Sequence, residues 1–105
     1  MTEIKHLTDA DFKDALKGKL ALIDFFAEWC GPCRIQSKTL ESVAAEADAS
    51  VLIAKVDVDA AQETAAALGI FSIPTIALFK DGEKVYLNAG VHGKDQLLEL
   101  LGKFA

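Results

Sequence analysis

The 105-residue sequence predicts an α/β fold, one mixed central β-sheet flanked by helices on both faces, in the order β-α-β-α-β-α-β-β-α. Three observations carry that prediction. The runs "LALIDFF" (20–26) and "VLIAKVDV" (51–58) are almost continuously apolar, as strands covered on both faces are. Segments with helical apolar spacing separate the strands, and strands alternating with helices need crossovers, so part of the sheet is parallel. Near the end, "PTIALF" and "KVYLNA" are joined only by "KDGE", a connection so short that those two strands must be antiparallel.

The elements follow in chain order. "EIKHL" alternates in polarity and reads as an edge strand. "TDADFKDALKG" reads as a helix, capped by Thr8 or Asp9, with Phe12, Ala15 and Leu16 on one face and Gly18 as its terminator. After the 20–26 strand, residues 31 to 48 turn helical, with Leu40, Val43, Ala44 and Ala47 at the i, i+3, i+4, i+7 positions of an apolar stripe. "DAAQETAAALG" is the next helix. Asp59 and Gln62 have capping-box spacing there, and Gly69 is placed to end it. The final "GKDQLLELLGKF" is amphipathic, with Leu97, Leu98, Leu101 and Phe104 inward.

Composition narrows the function. The length fits a single domain over 1–105, and at this size roughly 65% of the unfolded chain's surface is buried on folding. Hydrophobic residues make up 51% and charged residues 26%, which places the chain among globular proteins. Net charge is −5 and no Lys/Arg run occurs, so neither nucleic acid nor an anionic membrane is an expected partner. The N-terminus lacks the basic-then-apolar pattern of a signal peptide, and two cysteines are too few for a disulfide framework; a cytoplasmic location is expected. No glycine-rich dinucleotide loop is present, so no coenzyme is expected.

Both cysteines fall in "WCGPC" (29–33), at the corner between a buried strand and a helix. Cys30 would meet the free N–H groups and the positive dipole end of that helix, which stabilise a thiolate and lower its pKa. Gly31 permits close backbone approach, and Pro32 lacks an N–H that a first turn does not need. Cys33, three residues on, shares the helical face and is placed to attack a mixed disulfide on Cys30. Two other readings compete. A zinc site would need four ligands, and only His6 and His92 remain, without the usual spacing. Two inert core cysteines are the other, since cysteine is often buried.

"FFAEWCGPCR", "IPT" (73–75) and "KDGEKV" followed by "AG" together resemble the thioredoxin family over essentially the whole chain. The resemblance implies a protein-disulfide reductase in which Cys30 attacks a substrate disulfide and Cys33 resolves the mixed disulfide. It implies that no cofactor beyond the Cys30–Cys33 disulfide is used, that a thioredoxin reductase restores the dithiol, and that the chain acts as a monomer. Asp24, a carboxylate inside an apolar strand, would be the buried proton acceptor and donor, with Lys55 as its partner. Read without the resemblance, Asp24 is a hydrogen-bonded or strand-end acid and Lys55 an exposed strand lysine with a snorkelling stem. Most X–Pro bonds are trans, but the resemblance makes Pro74 cis and facing the cysteines. Ile73 would then pair its backbone with an extended substrate, and Trp29, Gly31, Pro32, Gly90 and Val91 would complete the binding rim.

Three positions depart from the family pattern. Phe26 replaces a common tryptophan, Gln36 a usual aliphatic residue, and Lys38 a proline that kinks this helix. Without that proline the hydrogen-bond ladder can continue, and a straighter helix is expected. Arg34 and Lys38 place two positive charges one turn apart. The "RIQSK" differences read as surface variation, or else as the mark of a shifted potential or a narrower set of partners. Two alternatives to a general reductant also stand: a donor dedicated to one enzyme, and a redox-silent binding subunit.

Overall fold

The computed structural model describes all 105 residues. Five strands, β1 (Ile4–His6), β2 (Leu20–Phe26), β3 (Leu52–Asp57), β4 (Thr75–Lys80) and β5 (Glu83–Ala89), form one sheet in the order β1-β3-β2-β4-β5. Four helices accompany them: α1 (Phe12–Leu16), α2 (Gly31–Glu46), α3 (Gln62–Ala67) and α4 (Lys94–Phe104). β3 runs parallel to β1 and β2, and β4 runs antiparallel to β2 and β5, so the sheet is mixed as the sequence predicts. Asp81 (φ 51°) and Gly82 (φ 83°) are both left-handed, the two-residue turn whose twist suits a β-hairpin.

Period-two alternation divides the core. Ala21, Ile23 and Phe25 of β2 pack with Phe12, Leu16 and Ala61 on the α1/α3 side. Leu22 of β2 packs with Leu40, Val43, Leu97 and Leu101 on the α2/α4 side. Asp24 has the parity of Leu22 and so faces α2. β2 is the central strand, covered above and below, and six of its seven residues are buried. This is why its apolar run is nearly continuous, and why one carboxylate within it demands an explanation.

Two capping expectations are overturned. Neither Thr8 nor Asp9 caps α1. Its N-cap is Asp11, whose carboxylate accepts from the Thr8 N–H (2.6 Å) and hydroxyl (3.1 Å) in a local turn. Asp9 reaches across to α3 instead, accepting from the Thr64 N–H (2.8 Å), the Thr64 hydroxyl (2.7 Å) and the Glu63 N–H (3.3 Å). The Asp59–Gln62 capping box does not form either. A backbone turn, with the Ala61 N–H on the Asp57 carbonyl at 2.8 Å, moves the N-cap on to Ala61, and Gln62 Nε2 donates to the Asp59 carbonyl. Caps read from local spacing lose here to a tertiary contact at Asp9 and to a local backbone turn before α3. The terminators are as expected: Gly18 and Gly69 adopt φ of +69° and +68° just past α1 and α3.

Candidate active site

β2 ends at Phe26, and a three-residue turn closed by the Cys30 N–H on the Ala27 carbonyl (3.2 Å) delivers Cys30 to the N-cap of α2. Pro32 sits in the first helical turn, where its missing N–H costs nothing. The Cys33 N–H donates to Cys30 Sγ at 3.2 Å, so a helix-end N–H is aimed at the first sulfur. The two cysteines are joined as a disulfide, with Cα atoms 5.3 Å apart. α2 runs for 16 residues, from Gly31 to Glu46, with Lys38 inside it.

The surroundings bring the other predicted residues to this corner. The Ile73 carbonyl oxygen lies 3.9 Å from Cys30 Sγ, and the Ile73–Pro74 peptide bond is cis. The Pro74 carbonyl accepts the Gly90 N–H at 2.8 Å, which ties the Gly90–Val91 loop to the same place. Trp29 is 71% exposed, and its indole N–H is held by Asp59 Oδ2 at 2.8 Å. Gly31 and Pro32 are exposed. A Cβ on Gly31 would meet nothing within 4 Å, so the close approach expected there has no partner inside the chain. Two exposed apolar side chains nearby in sequence were not foreseen: Ile35 on α2, and Phe71, 97% exposed two residues before Ile73. An aromatic in a loop outside any periodic pattern was the signal available for Phe71.

Asp24 is completely buried, and neither carboxylate oxygen has a hydrogen-bond partner. The reading of a hydrogen-bonded acid is therefore corrected. Burial pushes its pKa up to about 6, while the positive charge of Lys55 pulls the other way. Lys55 stands directly across the ladder from Asp24. Its ammonium, however, donates to Ser37 Oγ at 2.7 Å and lies 4.3 Å from the Phe26 ring centroid. It acts on Asp24 as a nearby charge and not as a hydrogen-bonding partner. His6 packs edge-on against Phe26, with ring centroids 6.5 Å apart. His6, Phe26, Cys33, Ser37 and Lys55 are among the residues that line a cleft of about 190 Å³ beside the disulfide.

Gln36 is not a surface residue, and the reading of "RIQSK" as surface variation fails there. Its side chain is fully buried. It is one turn beyond Cys33 and one turn before Leu40, on the buried stripe of α2, where a polar side chain needs partners. It finds both on one residue: the His92 N–H donates to Gln36 Oε1 (2.7 Å), and Gln36 Nε2 donates to the His92 carbonyl (3.0 Å). Arg34 and Lys38 are exposed, as surface positions are.

The family model described as Thioredoxin matches residues 3–103. This chain belongs to the thioredoxin family. It is 43% identical over 100 residues to the thioredoxin of Chlamydia muridarum, a match that spans 95% of this chain and 97% of that one. It is 41% identical over 101 residues to the thioredoxin of Listeria monocytogenes, spanning 96% and 98%. Among solved structures, Fasciola hepatica thioredoxin superposes with a TM-score of 0.86 at 37% identity, covering 96% of this chain and 99% of that one. The chain has the thioredoxin fold, and it is a thiol–disulfide oxidoreductase, a protein-disulfide reductase of the thioredoxin type. The zinc-site and inert-core readings of "WCGPC" are thereby set aside. No helix is long and apolar enough to cross a membrane.

Proposed function

We propose that Cys30 is the attacking cysteine and Cys33 the resolving one. The observation that carries this assignment is the Cys33 N–H on Cys30 Sγ at the head of α2, since an N–H aimed at a sulfur favours its thiolate. Cys30 thiolate attacks one sulfur of a substrate disulfide. A Cys30–substrate bond forms, the substrate disulfide breaks, and the first substrate thiolate leaves and takes up a proton. Cys33 then gives its proton to the Asp24 carboxylate and attacks Cys30 Sγ. The Cys30–Cys33 disulfide forms, the second substrate thiolate departs, and it too is protonated. Two electrons have passed to the substrate.

Asp24 suits the proton-accepting role because burial raises its pKa towards neutrality, where a base can both take and return a proton. Lys55 keeps enough positive charge beside it for the carboxylate to ionise. Ile73, next to Pro74, offers its backbone to an extended substrate segment. Trp29, Gly31, Pro32, Gly90 and Val91 form the rim on which that segment rests. A thioredoxin reductase regenerates the dithiol by supplying two electrons, and no further cofactor or metal takes part. The protein works as a monomer, a single domain over 1–105, in the cytoplasm.

Reduction of insulin by the dithiothreitol-recycled protein tests the assignment. Wild type is expected to turn over, Cys30→Ser to lose activity, and Cys33→Ser to stall as a stable mixed disulfide. Full turnover by Cys30→Ser would reverse the roles of the two cysteines. No turnover by wild type would favour a redox-silent binding subunit.

A further inference from the structure

We propose that Gln36 is a positioning residue that sets the spacing between the redox-active helix and the Gly90–His92 segment of the substrate rim, and so selects for extended protein disulfides over small ones. The primary amide of Gln36 imitates a peptide group. It accepts from the N–H and donates to the C=O of a single residue, His92, as a neighbouring strand would. Both groups of His92 lie in the loop between β5 and α4, outside any regular ladder, and His92 is itself only 2% exposed. Without Gln36 they would be buried and unpaired.

The contact does not end at His92. Its Nδ1 is 2.8 Å from the Gly90 carbonyl, which only accepts, so Nδ1 carries the proton. Nε2 is then free to accept from the Tyr86 hydroxyl of β5 at 2.8 Å. The Gly90 N–H in turn donates to the Pro74 carbonyl at 2.8 Å, and Ile73, the residue before it, faces Cys30 Sγ. The result is a ring of contacts joining the three segments around the disulfide: α2, the Ile73–Pro74 turn and the Gly90–His92 loop. Gln36 is the only α2 side chain that hydrogen-bonds to that loop. A small disulfide needs only to reach the Cys30 sulfur, which sits in a residue 5% exposed. On the rim assignment proposed above, a protein disulfide must also lie along Gly90 and Val91, so it is the substrate that depends on where they are held.

The test compares two probes, insulin and 5,5′-dithiobis(2-nitrobenzoate), with wild type and Gln36→Leu, each pre-reduced. The expected result is that the ratio of kcat/KM for insulin to that for the small disulfide falls about tenfold in Gln36→Leu, mainly through KM for insulin. Tyr86→Phe, which removes only the hydroxyl on His92 Nε2, moves the ratio the same way by less. Equal losses on both probes would reduce Gln36 to a structural residue and overturn the proposal, as would an unchanged ratio. Amide hydrogen exchange on the wild-type protein gives a second reading that survives misfolding of the variants. The His92 N–H is expected to be protected like the amides of α2, and exchange at the rate of an exposed loop amide would sink the idea.

Discussion

Asp24 and Gln36 are both completely buried polar side chains on the α2 side of the sheet, and they are treated in opposite ways. Asp24 has no hydrogen-bond partner on either oxygen. Gln36 has both ends of its amide satisfied by one residue. A buried polar group without partners is costly in its charged form. Here the cost raises the Asp24 pKa to about 6 and makes its proton mobile near neutral pH. A buried polar group with every partner is rigid, because any displacement breaks two hydrogen bonds in a medium that offers no replacement. One residue is built to change state, and the other to keep its place.

The largest expected effect follows from the unpaired member. In the folded chain burial pushes the Asp24 pKa up to about 6 from an ordinary value of 3.8. The folded state therefore holds this proton more tightly than the unfolded one. Ionising Asp24 costs stability, and the cost grows as pH rises from about 4 and is complete above the folded value. Asp24→Asn keeps the shape and removes the titration. Its stability relative to wild type is expected to rise by roughly 2–3 kcal/mol between about pH 4 and pH 8, read by urea unfolding at each pH. Gln36→Leu provides the contrast. It is expected to lose about 1–3 kcal/mol through the orphaned His92 groups, without that rise. A flat difference for Asp24→Asn would mean that its carboxyl is not displaced by burial, and the comparison would lose its basis.

Lys55 sharpens the same comparison with a smaller effect. Its ammonium is engaged by Ser37 and the Phe26 ring, so its influence on Asp24 is electrostatic and through space. Lys55→Met is expected to raise the Asp24 pKa above about 6, by less than the displacement burial itself causes. Carboxyl-carbon NMR titration measures it. A fall in that pKa would mean that loss of the lysine admits water to Asp24, and that its stem, not its charge, is what matters.

How much of this was legible depends on the range of the interactions involved. The sheet and its helices were readable because burial on two faces writes itself into β2 and β3 as apolar runs, and the hairpin because Asp81–Gly82 has few other uses. "WCGPC" at a strand-to-helix corner carried the chemistry, and the family resemblance carried the cis Ile73–Pro74 bond beside Cys30. Gln36 was misjudged although its spacing was visible: positions 33, 36, 40 and 43 share one stripe, and a polar residue on a buried stripe is evidence of a partner. The partner, His92, is 56 residues away, and nothing local announces it. The same distance problem hid the Asp9 contact to α3, 55 residues on, and the engagement of Lys55 by Ser37.

Asp9 gives the smallest expected effect and the cleanest check on the physical cause. It is a carboxylate like Asp24, but it is partly exposed and accepts three hydrogen bonds from the start of α3. Those bonds, led by the Thr64 hydroxyl, hold its pKa below the ordinary carboxylate value, the reverse of the shift at Asp24. The sign of its pH dependence must therefore also reverse. Asp9 stabilises the fold above its unfolded-state value, and that contribution disappears as pH falls through the depressed folded-state value. Asp9→Ala is expected to lower the melting temperature modestly at neutral pH and to converge on wild type in acid, while the first amides of α3 exchange faster. Asp24→Asn is expected to gain on wild type with rising pH, and Asp9→Ala to lose. If the two variants moved in the same direction, the presence or absence of hydrogen-bond partners could not be what separates these carboxylates.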